Sequence, residues 1–139
     1  MTPRTPEADA TREIILGTRD RVLWFPNPVG RAVPLHSKTG MPVLYGVGGV
    51  GGSDWIGIER ATGRLVALEI KRADGKGRAT DEQRTFLAAV AESGAVAVLA
   101  TCAAEVLAAL NDSAVRTSKH EVTPRCVNSR GRDPREGTP

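Results

Sequence analysis

GGSDWIGIERATGRLVALEIKRADGKGR, residues 51–78, contains two short apolar runs, Asp54–Glu59 and Arg64–Lys71, on either side of Ala61-Thr62-Gly63. Runs of this length, rich in Ile, Leu and Val and joined by a glycine-bearing turn, predict a β-hairpin. Alternation along the second run puts Val66, Leu68 and Ile70 on one face and Ala67, Glu69 and Lys71 on the other. Glu69 and Lys71 therefore point the same way. The hairpin carries Asp54, at the start of the first strand, back to the end of the second, although fourteen residues separate it from Glu69 in sequence. Two carboxylates and an ammonium at the ends of neighbouring strands would suit a divalent cation, a water and a phosphodiester.

Upstream, Thr5-Pro6-Glu7 is a helix start: a capping hydroxyl, a proline at the first helical position and an acid in the first turn. The helix is expected to reach about Thr18, carrying Ile14, Ile15 and Leu16. Arg21–Phe25 follows as a short strand stopped by Pro26 and Pro28. Residues 27–52 read as a long Gly/Pro-rich loop with a short extended piece near Val43–Tyr45, and a loop of that length in a small domain is usually functional. Its end, GVGGVGG over Gly46–Gly52, lacks the Gly-Lys-Ser/Thr of a phosphate-binding loop. It is read instead as a segment that lets the chain approach the site closely.

Downstream, Thr80-Asp81-Glu82-Gln83 opens a second helix with Phe86, Leu87 and Val90 as its apolar stripe and Gly94 as its stop. Ala95–Ala100 suits a buried strand, and Ala103–Leu110 a final helix. From Asp112 the chain is rich in Pro, Arg, Ser and Gly and is expected to be disordered. The order α-β-β-β-α-β-α implies an α/β fold, a mixed sheet with helices packed on it. The division is a folded domain over residues 1–111 and a basic tail over 112–139.

The net charge of +3 belongs to residues 116–139: residues 1–115 hold thirteen Lys/Arg and thirteen Asp/Glu, residues 116–139 six and three. No apolar run is long enough to cross a bilayer, and acids precede the first short apolar stretch, so neither a membrane partner nor a secretory signal is expected. Cys102 and Cys126 fit no disulfide or zinc framework, which suggests a reducing, intracellular setting, with Cys102 as a small core residue.

A hard cation such as Mg²⁺ or Mn²⁺ takes oxygen ligands and keeps several waters. Asp54, Glu69 and the backbone carbonyl of Ile70 are the candidate ligands, and Lys71 is placed to orient or deprotonate a water. Gln83 has two readings: the closing residue of a capping box, and an amide aimed at the strand ends that carry Glu69 and Lys71. Glu7 likewise serves a helix N-terminus or, two turns from Ile14 on the inward face, adds a metal ligand. Arg72, Lys76 and Arg78 in the loop after the Glu-x-Lys strand would hold flanking phosphates, with Arg31 and Lys38 in the long loop as further candidates. Trp24 and Trp55 are core residues in strands, with base stacking as the alternative. His36 and His120 have no partner spacing for a metal or a triad.

GGSD, a turn, LVALEIKR, a short loop and TDEQRTFLAAVAESGAVAVLA resemble the VRR-NUC (virus-type replication-repair nuclease) domain of the PD-(D/E)XK nuclease superfamily. The N-terminal PEADATREIILGTRDRVLWFPNPVG also resembles the helix and strand that precede these motifs in small phage-type members. The resemblance spans residues 6–110. It implies a restriction-endonuclease-like αβββαβ core, with Asp54, Glu69 and Lys71 as catalytic residues, Gln83 as the helix-borne glutamine and Glu7 as the N-terminal glutamate. It further implies Mg²⁺ or Mn²⁺ dependence, DNA as substrate and a homodimer cutting branched DNA such as Holliday junctions. The setting would be the cytoplasm of a phage-infected or prophage-carrying bacterium. Ser53 stands where the superfamily name has proline, and Ala10 where the N-terminal helix usually carries a larger apolar residue. A DNA-binding module on the same scaffold without catalysis, and an interaction protein with a basic tail, are the competing readings.

Overall fold

The computed structural model describes residues 5–72, 74 and 76–117. In chain order the elements are α1 (Pro6–Thr18), β1 (Val22–Pro26), β2 (Gly30–Ala32), β3 (Val43–Tyr45), β4 (Trp55–Glu59), β5 (Leu65–Ile70), α2 (Asp81–Glu92), β6 (Val96–Ala100) and α3 (Ala103–Thr117). α1 begins where expected: the Thr5 hydroxyl accepts the Ala8 N–H at 3.3 Å, and Pro6 needs no partner in the first turn. Its inward positions are Ala10, Ile14 and Thr18.

Four strands form one sheet in the order β1-β4-β5-β6. β1 and β5 both run antiparallel to β4, and β6 lies parallel to β5. The hairpin predicted from residues 54–71 is the β4–β5 pair, closed by Glu59 N–H to the Arg64 carbonyl at 2.8 Å, with Gly63 in the turn at φ +73°. The parallel step from β5 to β6 needs a crossover, and α2 provides it.

Val66, Leu68 and Ile70 of β5 and Val96, Val98 and Ala100 of β6 are buried together with Ala10 and Ile14 of α1, Val22 of β1 and Val106 and Leu110 of α3. α1 and α3 thus share one face of the sheet. α2 packs on the other, chiefly over β5 and β6. The fold is a mixed sheet between helices, as the sequence pattern implied. α2 leaves the β1–β4 half of its face open: the cross-strand rows Leu23–Ile58–Leu65 and Phe25–Ile56–Ala67 put Leu23, Phe25, Ile58 and Leu65 in solvent, Phe25 at 49% exposure.

Four expectations need correction. The extended piece expected near Val43–Tyr45 is β3, but it does not stand alone in the 27–52 loop: β2 pairs antiparallel with it as a separate two-stranded ribbon, with Arg31 opposite Leu44. Three-residue strands without alternating burial carry no periodic signal, so β2 escaped the reading. The last helix does not stop at Leu110 but runs to Thr117, past the composition break at Asp112. Composition marks where the apolar pattern ends, but a helix once nucleated can propagate beyond it, because adding a residue costs far less than starting a helix. Leu99 is exposed although its strand reads as uniformly apolar, because α2 does not cover that end of β6. Cys102 is half-buried rather than a core residue.

The tail from residue 118, with His120 and Cys126, lies outside the described residues. Among those that are described, no helix is long and apolar enough to cross a membrane.

Candidate active site

Glu69 is the fifth-largest fully buried side chain among the described residues, at 1% exposure. It lies near the C-terminal end of β5, on the α2 face by strand alternation. Its Oε1 accepts from Lys71 Nζ at 2.7 Å and from the Gln83 side-chain amide. Its Oε2 is buried and has no hydrogen-bond partner. Burial pushes the Glu69 carboxyl above the ordinary glutamate range, and the nearby charge of Asp54 adds to the rise; the hydrogen bond and charge of Lys71 oppose it without cancelling it.

Asp54 stands where β4 and β5 diverge. Trp55 pairs with Leu68, the last registered pair of the hairpin, so the next inward N–H of β5, that of Ile70, has no strand partner. The Asp54 side chain takes its place, accepting the Ile70 N–H through Oδ2 at 2.9 Å. The Lys71 N–H turns the other way, donating to the Ala100 carbonyl of β6 at 2.9 Å. In a strand the N–H and C=O of one residue point to the same edge, so the Ile70 carbonyl also faces Asp54. The sequence-derived trio and the strand carbonyl are brought to one place.

Gln83 fulfils both of its readings at once. Its backbone N–H donates to the Thr80 hydroxyl at 3.2 Å and its Oε1 accepts the Thr80 N–H at 2.9 Å, closing the capping box. The same Oε1 accepts from Lys71 Nζ at 3.3 Å while the amide nitrogen donates to Glu69. One side chain therefore ties the helix start to the carboxylate and the ammonium.

The remaining candidates are more dispersed. Glu7 is exposed in the first turn of α1. It keeps the inward face of Ile14, but two turns nearer the N-terminus the helix has run past the core. Among the described residues, no group of three or more His, Cys, Asp or Glu forms a metal cage. Arg72 bonds Asp74 at 2.6 Å and keeps a buried Nε without a partner. Lys76 is exposed, and Arg78 lines a groove with Arg84 and Leu99. Leu99 is the residue registered beside Glu69, so this groove lies on the β6 side of that carboxylate. Arg31 lies in β2 and Lys38 in the connection between β2 and β3, both exposed rather than in the carboxylate cluster.

Asn27 is the residue the sequence reading missed. Buried behind β1, it donates through Nδ2 to the carbonyls of Val47 at 3.0 Å and Ser53 at 2.8 Å, and accepts the Val47 N–H at 2.8 Å. Its own N–H donates to the Asp54 carbonyl at 2.9 Å. This one side chain pins the glycine segment and the backbone of Asp54. An asparagine between two prolines reads as ordinary turn chemistry, so only its burial distinguishes it. The glycine segment leans on α2: a Cβ at Gly51 would come within 2.6 Å of the Glu82 Cβ.

No family model matches the sequence, and no curated protein matches it. What the residues can do rests on their geometry. The donors at the site are all oxygens: a buried carboxylate with one lone-pair face unused, a second carboxylate, and a strand carbonyl. Two carboxylates without nitrogen or sulfur ligands are the set a hard cation takes when waters and substrate phosphate complete its shell.

Proposed function

We propose that the protein is a Mg²⁺- or Mn²⁺-dependent DNA endonuclease of the PD-(D/E)XK type, resembling VRR-NUC domains, with Asp54, Glu69, Lys71 and Gln83 as its working residues. One observation carries the reading: a fully buried glutamate whose Oε2 has no partner, beside a second carboxylate and a lysine. A buried carboxylate oxygen without a hydrogen bond is costly, and a native structure retains one where an unseen ion or a chemical task compensates.

Asp54, Glu69 and the Ile70 carbonyl would hold the cation. Once bound, it would polarise the phosphoryl oxygen and lower the pKa of a coordinated water. Lys71 keeps its ammonium 2.7 Å from Glu69, close enough to orient the attacking water and to offset charge as the phosphorane forms. Gln83 holds Glu69 Oε1 and Lys71 in a fixed relation, so the free Oε2 is the oxygen left to face the cation. Arg72, Lys76 and Arg78 would take the phosphates on either side of the scissile one, and Arg31, from the ribbon, one farther along. Cutting both strands of a branched DNA needs two such sites, which a two-fold dimer supplies. The uncovered apolar rows of β1 and β4 support that assembly.

The test is incubation of the purified protein with supercoiled plasmid and with a four-way junction, in Mg²⁺, Mn²⁺ or EDTA. Cleavage is expected with either metal and none with EDTA; Lys71→Ala and Glu69→Ala should lose at least a hundredfold in rate while retaining DNA binding. Full activity in Lys71→Ala, or cutting in EDTA, overturns the mechanism. Binding without cutting in any metal would establish the non-catalytic module instead.

A further inference from the structure

A groove of about 350 Å³ runs along the exposed side of α1, lined by Ala8, Thr11, Arg12, Ile15, Leu16 and Trp55. Its position follows from the sheet. Trp55 is bonded directly to Asp54 and registered opposite Leu68, the residue before Glu69. Strand alternation turns its indole to the α1 face while Asp54 stays at the strand end. The groove and the carboxylates thus sit on either side of the same strand terminus.

Its lining is unusual for a solvated helix flank. The indole is only half-buried against the core, Ile15 is half-buried, and Leu16 is exposed. Together they leave an apolar slot open to solvent. On the rim, Arg12 is exposed and pairs with no acid among the described residues. An aromatic face with aliphatic walls and a free guanidinium at the edge is complementary to a flat heteroaromatic ring attached to an anion.

We infer that this groove is a subsite for one unstacked nucleobase, from the nucleotide next to the phosphate held at Asp54 and Glu69. The inference rests on the nuclease reading for the nature of the ligand, and it adds what that reading does not contain: a reason to prefer DNA with an unpaired nucleotide beside the cut. A base within a duplex has both faces stacked and cannot enter the slot. A base at a junction, overhang or bulge can, with Trp55 beneath it and Arg12 on its phosphate. Stacking of this kind tolerates every base, so the slot selects for unpairing and not for sequence.

The experiment reads binding, not cutting. Trp24 is the protein's other tryptophan, so Trp24→Phe in a Lys71→Ala background leaves Trp55 as the only indole in a chain that does not cleave. Its fluorescence should be quenched by a duplex carrying a single-stranded overhang and left unchanged by the blunt duplex of the same sequence. In the Lys71→Ala protein, Trp55→Leu should weaken overhang binding by on the order of tenfold relative to blunt duplex, and Trp55→Phe should restore most of it. Arg12→Ala, on a solvent-exposed helix position, should weaken overhang binding without altering the fold. Equal quenching by both DNAs, or an unchanged overhang preference in both Trp55→Leu and Arg12→Ala, overturns the subsite. Failure of the nuclease reading looks different: no cleavage by the wild type in any metal, with the overhang-specific quenching intact.

Discussion

Two glutamates in this protein are buried to the same degree and behave oppositely. Glu59, 2% exposed, lies at the hairpin turn, where its Oε2 accepts from the Thr62 hydroxyl and from Arg64 at 2.7–2.8 Å. Burial alone would raise its pKa, but those hydrogen bonds and the charges of Arg64 and Arg21 outweigh it, and the carboxyl lies below its ordinary value. A depressed folded-state pKa means stability that is present above the ordinary glutamate range and lost as the pH falls through the folded value. Glu69, with its pKa raised, has the reverse sign: its ionised form weighs against folding, and that burden is relieved as the pH falls through its folded value toward the ordinary one. Arg64→Met should therefore cost about 3 kcal/mol at pH 7, because it leaves Glu59 charged and buried. Glu69→Gln should instead raise stability by about 1 kcal/mol, roughly 4 °C in Tm, at pH 8. Thermal melts at a series of pH values check both, and the Glu69→Gln advantage should shrink toward zero near pH 4.5. A Glu69→Gln protein less stable than wild type at pH 8 would mean that Lys71 and Gln83 compensate the buried charge in full.

Elements differ in what they owe to their neighbours. The β4–β5 hairpin was legible because its signals are local: alternation, a turn with glycine, and charges at the strand ends. So was α2, where Thr-x-x-Gln announced both the cap and the residue that reaches the site. Of the β2–β3 ribbon only β3 was legible, as an extended piece at Val43–Tyr45; β2 and the pairing were not, since these strands gain their pairing from each other and from no periodic burial. Nor was the role of Asn27, which depends on a burial no composition reveals. The glycine segment lies between these cases: its closeness to the site followed from its composition, but its partner did not. Gly51 adopts φ +95° with its α-carbon against Glu82 of α2, so an alanine there meets both backbone strain and helix. Gly51→Ala should cost about 2–4 kcal/mol, whereas Gly40→Ala, at φ +66° with open space around it, should cost about 1 kcal/mol. Urea denaturation of the two variants separates the clash from the strain. Equal costs would show that α2 yields to the added methyl.

At the scale of the whole molecule the two faces of the sheet are unequal. α1 and α3 cover one, whereas α2 covers about half of the other and leaves Leu23, Phe25, Ile58 and Leu65 in water. Charge on that surface should oppose self-association: Phe25→Glu is expected to shift the protein toward monomer in sedimentation equilibrium at micromolar concentration, with its melting temperature little changed because the side chain is already half in solvent. A wild type that is monomeric at all concentrations would remove the dimer from the proposal. The crossover through α2 has a further consequence, in the order of events during folding. The β4–β5 hairpin holds Asp54, Glu69 and Lys71 and forms from local contacts. The parallel pairing of β5 with β6 must wait for the far longer loop through α2 to close. Until α2 docks, Gln83 is absent from the site and Glu69 remains hydrated. A chain emerging from the ribosome would thus carry its carboxylates and lysine early, yet acquire the buried glutamate with its unpartnered oxygen only when β6 has joined the sheet. Gln83, which closes the capping box of α2 and also bonds Glu69 and Lys71, makes completion of the fold and completion of the site a single event.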